Sequence, residues 1–348
     1  MNSALMRYII RRGVQSIMLA WVATLIAFSI YQAAPGGPLQ FLDDDPSVTS
    51  ADVARLERLY GIDRNIFAQY VSWFAGEDWL PENETWRSGF CLSDESRCGH
   101  GIIRLDFGKS FLFKGESVID LIVERMGATF ILAFTSMIIG LLGIPLGIWA
   151  AVRRGHWPDH SIRVLTVALN TVPHWWLGLL LLIFLGGFLG LVPLSGMQTI
   201  GDGSLLDRLH HLLLPATVGA IGGWIGYSRI VRFEMLEVLN QDYVRTARAK
   251  GLQERLVVFR HVLRNALMPV ITGLSGIFLL ALSGSILFET VFSWPGMGRL
   301  AILAINARDY PVIMGLFVIS SVLGILGLLM VDILYSVVDP RVKYEVIA

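Results

Sequence analysis

A chain of 348 residues that is 54% hydrophobic and only 16% charged is not composed like the two soluble domains its length alone would suggest. Its mean hydropathy of +0.60 and its recurring apolar runs of about 20 residues, long enough to cross a bilayer core as helices, place it among integral membrane proteins. The 28 basic and 28 acidic residues cancel, which by itself says nothing about a nucleic-acid partner; none is expected.

Six candidate spans follow in order, at 14–34, 128–152, 162–191, 212–235, 267–292 and 312–338. The first begins after Arg7, Arg11 and Arg12, like the basic end of a signal peptide. Its apolar part is too long for that, and no small-x-small cleavage site follows, so an uncleaved anchor is expected. The segment "YQAAPGGP" ends it with glycine and proline breakers. Orientation follows from Lys and Arg near the span ends. With the N-terminus inside, the inner segments and their flanks carry sixteen basic residues, against three in the short outer loops 192–211 and 293–311.

On that topology 35–127 is outside, and it is acidic, with Asp43–Asp45, Glu77, Asp78, Glu82, Glu84, Asp94 and Glu95. Within it "TSADVARLERLYG" reads as a helix capped by Thr49 or Ser50 and stopped by Gly61, with Val53, Leu56 and Leu59 or Tyr60 on one face. Local packing is the favoured use of that face; the membrane surface or a partner is the alternative. The two cysteines, Cys91 and Cys98, lie in "CLSDESRC". An oxidising outer compartment favours a disulfide between them, with two free thiols as the alternative. "DFGKS" at 106–110 resembles the end of a phosphate loop, but the glycine required five residues before Gly108 is Ile103. ATP-driven work therefore requires an ATPase on another chain.

His156 and His160 stand four apart with Pro158 between them, which suits an interfacial loop better than a metal site, and His210–His211 reads as another interfacial pair. Ionisable groups within spans are functional suspects. They are His174 after Pro173 in the third span, Glu289 near the outer end of the fifth and Asp332 near the inner end of the sixth. With Asn170 and Ser283, His174 and Glu289 are the pore-lining candidates; for Asp332 a snorkelling or capping role is preferred. No internal repeat is evident, so any symmetry partner is expected to be a second chain.

Between the fourth and fifth spans lies "QDYVRTARAKGLQERLVVFRHVLRNALMP", which is basic and helix-prone. Asn240 to Tyr243 supply N-cap candidates, and Val244, Ala247 and, less neatly, Leu252 could share a face. Gly251 can adopt the left-handed corner that ends a helix. A second run, 254–265, places Leu256, Phe259 and Leu263 on one face. Composition leaves two uses nearly even, a partner-docking element and a basic loop on anionic lipid.

This segment closely resembles the cytoplasmic coupling loop of ABC-importer permeases in the dipeptide/oligopeptide/nickel branch, nearest to their B-type subunit. The resemblance extends to "RLDFGKSF", "VIDLIVERMGATFILA", "ETVFSWPGMGRLAILAINARDYPVIMG", "DILYSVVDPRVKY" and "APGGP", and so covers most of the chain. The Glu-Ala-Ala of the wider family is Arg245-Thr246-Ala247 here, its Leu-Pro is Leu263-Arg264, and the stretch 72–103 is longer than the common pattern.

The resemblance implies an all-α membrane protein of six helices with the type I ABC importer permease fold and an extracytoplasmic insertion between the first two. Its parts would be 1–34, the cytoplasmic N-terminus and first span; 35–127, outside; 128–338, a five-helix core holding the coupling loop 236–266; and 339–348, a cytoplasmic tail. It implies a location in a prokaryotic inner membrane, among lipid. It also implies a second homologous permease, two cytoplasmic ATPases that carry ATP and Mg, no cofactor on this chain, and an extracytoplasmic solute-binding protein. Tyr243, Arg245, Ala247, Arg248, Ala249, Lys250, Gly251 and Leu252 would couple to the ATPases, the alanines permitting close approach and the basic groups orienting the contact. Peptides are the expected cargo, with nickel chelates or oligosaccharides as alternatives. An ion-coupled secondary carrier and a membrane scaffold are the readings from other classes.

Overall fold

The computed structural model describes residues 3–33, 65–76, 100–113, 115–267 and 284–338. Among them every regular element is helical, and one isolated antiparallel bridge pairs Lys109 with Ser117. In chain order the helices are α1 (Ser3–Gln32), α2 (Ile66–Ala75), α3 (Val118–Gly140), α4 (Gly143–Val152), α5 (Trp157–Thr171) and α6 (His174–Leu181), which continues as a π-helical stretch Leu182–Phe188. Then come α7 (Leu205–Val238), α8 (Asp242–Ala249), α9 over 254–266, α10 (Ile286–Val291), α11 (Met297–Asn306) and α12 (Tyr310–Val338). The predicted helix at 49–61, both cysteines, most of the fifth span with Ser283, and the tail 339–348 lie outside the described residues.

The chain forms two compact units. The first comprises Met1–Gly127 and Gly296–Leu329. Here α1 buries Ala27, Phe28 and Tyr31 while Ile17, Met18 and Trp21 face outward, an apolar exterior suited to lipid. Phe28 packs against Tyr70 and Trp73 of α2, and Thr24 shares a hydrogen bond of 2.8 Å with the Tyr70 hydroxyl. The helix α3 begins ten residues before the expected span, at Val118. Asp120, Glu124 and Arg125 interrupt the apolar run but are compatible with a helix, and Leu121 and Ile122 beside them are fully buried.

Sequence reading treats 293–311 as an outer loop, but it contains α11 and a buried carboxylate. Asp309 is 0% exposed. It accepts hydrogen bonds from the Ser110 hydroxyl and the Leu112 backbone N–H and caps α12 through Val312 N–H. That work joins the turn after "DFGKS" to the last helix, which gives Ser110 a structural role.

The second unit comprises Ala128–Pro295 with Met330–Glu345. Its axis is the contact of α3 and α4 with α7, made at glycines. A Cβ on Gly143 would lie 2.9 Å from the Gly223 carbonyl oxygen, and one on Gly147 would lie 2.7 Å from that of Ser228. Those distances require glycine, and they let the backbones meet as small residues do between membrane helices. The indole N–H of Trp224 donates to the Ile139 carbonyl at 2.8 Å, beside the break between α3 and α4. At the other end of α7, Arg232 grips Asp159 with two hydrogen bonds of 2.6 and 3.0 Å, and the Gly155 N–H donates to the same carboxylate. This ion pair fixes the turn between α4 and α5.

The expected third span is not one straight helix. Pro173 excludes the helical conformation from Val172, which is extended (φ −98°, ψ 129°), and α5 meets the helix that follows at 94°. Among the described residues three helical stretches are long and apolar enough to cross a membrane, Ile10–Gln32, Val118–Val152 and Tyr310–Asp332; the bent pair makes a fourth if it is one span.

Candidate functional site

The basic cassette folds as two short helices around a glycine corner. Gln241, in an extended conformation, precedes α8. Val244 (0% exposed) and Ala247 (6%) face a cluster with Tyr227, Val231 and Met235 of α7 and with α9. Gly251 has φ +76°, the left-handed region where a β-carbon is strained. Across the corner the Arg248 guanidinium makes two hydrogen bonds to Glu254, at 2.7 and 3.1 Å, and these hold the Glu254 carboxyl below the usual range. The Asn265 amide donates to the Tyr243 hydroxyl at 2.9 Å and ties the end of α9 to the start of α8.

The face that α9 turns inward is formed by its valines and not by Leu256 and Phe259. Its middle, Val257–Val262, is π-helical, which admits an extra residue per turn and rotates the register. Val257, Val258, Val262 and Ala266 are buried, while Leu256 and Phe259 are exposed and Leu263 is partly buried. Leu252 likewise does not join Val244 and Ala247, being 37% exposed. The cassette thus presents Tyr243, Arg245, Arg248, Ala249, Lys250, Leu252, Leu256 and Phe259 outward, a mixed apolar and cationic surface on a braced support.

A cavity of about 380 Å³ lies in the second unit. Thr129 and Ser136 of α3, His174 and Trp175 of α6, Gly219 of α7, and Gly284, Ser285, Phe288 and Glu289 contribute to its wall. The break after α5 is what turns His174 into this space. Glu289 is 1% exposed, and its Oε1 accepts from the Thr129 hydroxyl at 3.0 Å. Of the pore-lining candidates, His174 and Glu289 come together here. Asn170 is exposed on α5 and is not part of this wall, and Ser283 lies outside the described residues. Asp332 lies in α12 and is partly exposed.

Thr129, Ser136 and Ser285 escaped sequence reading because lone hydroxyls in apolar runs carry no periodic signal. Asp159 and Asp309 each had one: a carboxylate close to a proline at a helix start is a capping pattern.

Two family descriptions match the chain. "Binding-protein-dependent transport system inner membrane component" covers residues 143–344, and the corresponding N-terminal membrane component covers 5–133. The chain is 38% identical over 339 residues to the oligopeptide transport system permease protein AppB of Bacillus subtilis, covering 97% of this chain and 99% of that one. It is 36% identical over 342 residues to a putative peptide permease protein of Brucella ovis, with the same shares covered, and 33% identical over 338 residues to the dipeptide transport system permease protein DppB of Bacillus subtilis, covering 97% and 98%. In fold it resembles the inward-facing MetNI methionine ABC transporter, with a TM-score of 0.51 at 18% identity over 63% of this chain and 96% of that one. The chain belongs to the family of binding-protein-dependent transport system inner membrane components.

Proposed function

We propose that this chain is a permease subunit of an ATP-binding-cassette importer for peptides. The observation that carries the proposal is the end-to-end similarity to the oligopeptide permease AppB. The chain would cross the membrane six times with both termini inside, with the segment 35–127 outside, and would form a pore with a second, homologous permease. A solute-binding protein would deliver cargo from outside, and two ATPases would bind from inside.

The cassette is the coupling element in this reading. Its outward surface would enter a groove on an ATPase as a helix-in-groove contact, and its braced corner would pass movement of that groove to α7 and the spans. ATP-driven closure of the ATPase pair would then open the pore to one side at a time. The Arg248–Glu254 pair, the Gly251 corner and the buried Val244 and Ala247 suit a rigid lever better than a loop lying loosely on lipid.

Co-reconstitution tests the proposal. The complete assembly in proteoliposomes should accumulate a labelled peptide only while ATP is hydrolysed, and omission of this chain should abolish uptake. Uphill, ATP-independent uptake by this chain alone would instead establish the secondary carrier.

A further inference from the structure

We propose that the turn joining α4 to α5 is a binding site for the headgroup of an anionic phospholipid. The site goes beyond the importer reading and needs only that the end of this span lies at a membrane surface. The apolar stretch Val118–Val152 is long enough to cross a bilayer. It ends at Arg153 and Arg154, both exposed, and charges that directly follow a span sit at the level of the headgroups.

Positive charge gathers at this turn without an acid to cancel it. Between positions 149 and 167 the sequence holds Arg153, Arg154 and Arg163, the histidines His156 and His160, and one carboxylate, Asp159. Asp159 is 1% exposed and is taken up by Arg232 and the Gly155 N–H, with Arg163 a lesser influence. Among the described residues neither Arg153 nor Arg154 is in an ion pair. A guanidinium offers a planar fork of N–H donors that matches a phosphate. Gly155 between them and α5 has φ +79°, and a Cβ there would meet nothing within 4 Å, so the space over the turn is open.

Two indoles flank these charges. Trp149 in the last turn of α4 and Trp157 at the start of α5 are 47% and 68% exposed, with ring centroids 6.2 Å apart. Indole is favoured at a membrane interface, where its apolar body meets the acyl chains and its N–H meets water. The apolar surface continues along α5 through Val164, Leu165 and Val167, all exposed. A phospholipid matches this order of groups, with its phosphate at the arginines, its glycerol region at the indoles and its chains on the aliphatic side chains. An acidic protein surface would match the arginines but leave the aliphatic side chains uncovered.

The test reads the lipids retained by the full chain, purified in detergent with equal phosphatidylglycerol and phosphatidylcholine, by native mass spectrometry. Phosphatidylglycerol should be retained about tenfold more than phosphatidylcholine, with at least one molecule per chain. Arg153→Gln with Arg154→Gln should remove one phosphatidylglycerol per chain, and Arg153→Lys with Arg154→Lys should keep it. Arg255→Gln with Arg260→Gln takes the same charge from the exposed surface of α9 and should leave retention unchanged. Both pairs are exposed, so the variants should fold, and their unfolding temperatures in detergent check this. Equal retention of the two lipids, unchanged retention in the Arg153 and Arg154 glutamine variant, or an equal loss in the α9 variant would each overturn the proposal. A second arm asks whether the glutamine variant at Arg153 and Arg154 still holds the ATPase pair in lipid-free detergent. Retained ATPases with lost phosphatidylglycerol support the lipid site, and lost ATPases would make the turn a protein contact and overturn it.

Discussion

The Tyr227 hydroxyl is buried, and no hydrogen-bond partner for it occurs among the described residues. Its ring packs beside Gly223 in the cluster that supports the cassette. A buried polar group without a partner carries an uncompensated desolvation cost. Tyr227→Phe keeps the ring and removes the hydroxyl, so it should leave the unfolding temperature in detergent unchanged or raise it, by up to about 1 kcal/mol in stability. A clear drop would reveal a partner for this hydroxyl. Asp309 is the opposite case, a fully buried carboxylate with its acceptors in use. Asp309 carries a capping signal in its nearby proline and Tyr227 carries none, but at both positions burial and pairing are set by neighbours distant along the chain.

Among elements, the meeting of α4 with α7 is set by glycine. Gly147→Leu would drive a side chain into the Ser228 carbonyl and Val231 Cβ, which lie 2.7 and 2.9 Å from the first added carbon. Backbone cannot move aside as a flexible side chain does, so the change should cost about 1–3 kcal/mol or more, measured as thermal stability of the purified chain. Gly127→Ala is the control, since nothing lies within 4 Å of the added carbon, and it should be neutral or mildly stabilising through helix propensity. The cassette makes a second prediction at this scale. Gly251→Val forces a β-branched residue to positive φ, and Ala247→Trp cannot fit at a position 6% exposed. Neither position lies in a proposed span, so membrane insertion should persist while substrate-stimulated ATP hydrolysis and uptake fall together at matched abundance. Normal stimulation in both variants would remove the coupling role. The corner at Gly251 was legible, because a glycine followed by an apolar residue after a capped helix is a stop signal. The inward face of α9 was not, because a π-helical stretch shifts the periodicity from which faces are read.

At the scale of the whole molecule, the proposed orientation rests on sixteen basic residues inside against three outside. Alkaline phosphatase fused after residue 100 should be active, and the same reporter fused after residue 250 or at the C-terminus should be inactive. Reversed activities would turn the topology over and carry the cassette away from any cytoplasmic ATPase. Membership of the transport family, the membrane setting and the apolar spans of α1, α3–α4 and α12 were all readable by eye. They depend on composition over about 20 residues and on local motifs, and a bilayer imposes its requirement on each helix separately. Where a helix breaks was partly readable, since Pro173 restricts the residue before it whatever surrounds it. Tertiary structure alone decided that the break brings His174 to the same cavity as Glu289, that Thr129 donates to that carboxylate from 160 positions away, and that Asp159 pairs with Arg232. Those pairings depend on how glycine-lined helices pack and on the direction in which a broken span resumes, and residues far apart in sequence carry no local sign of where they meet.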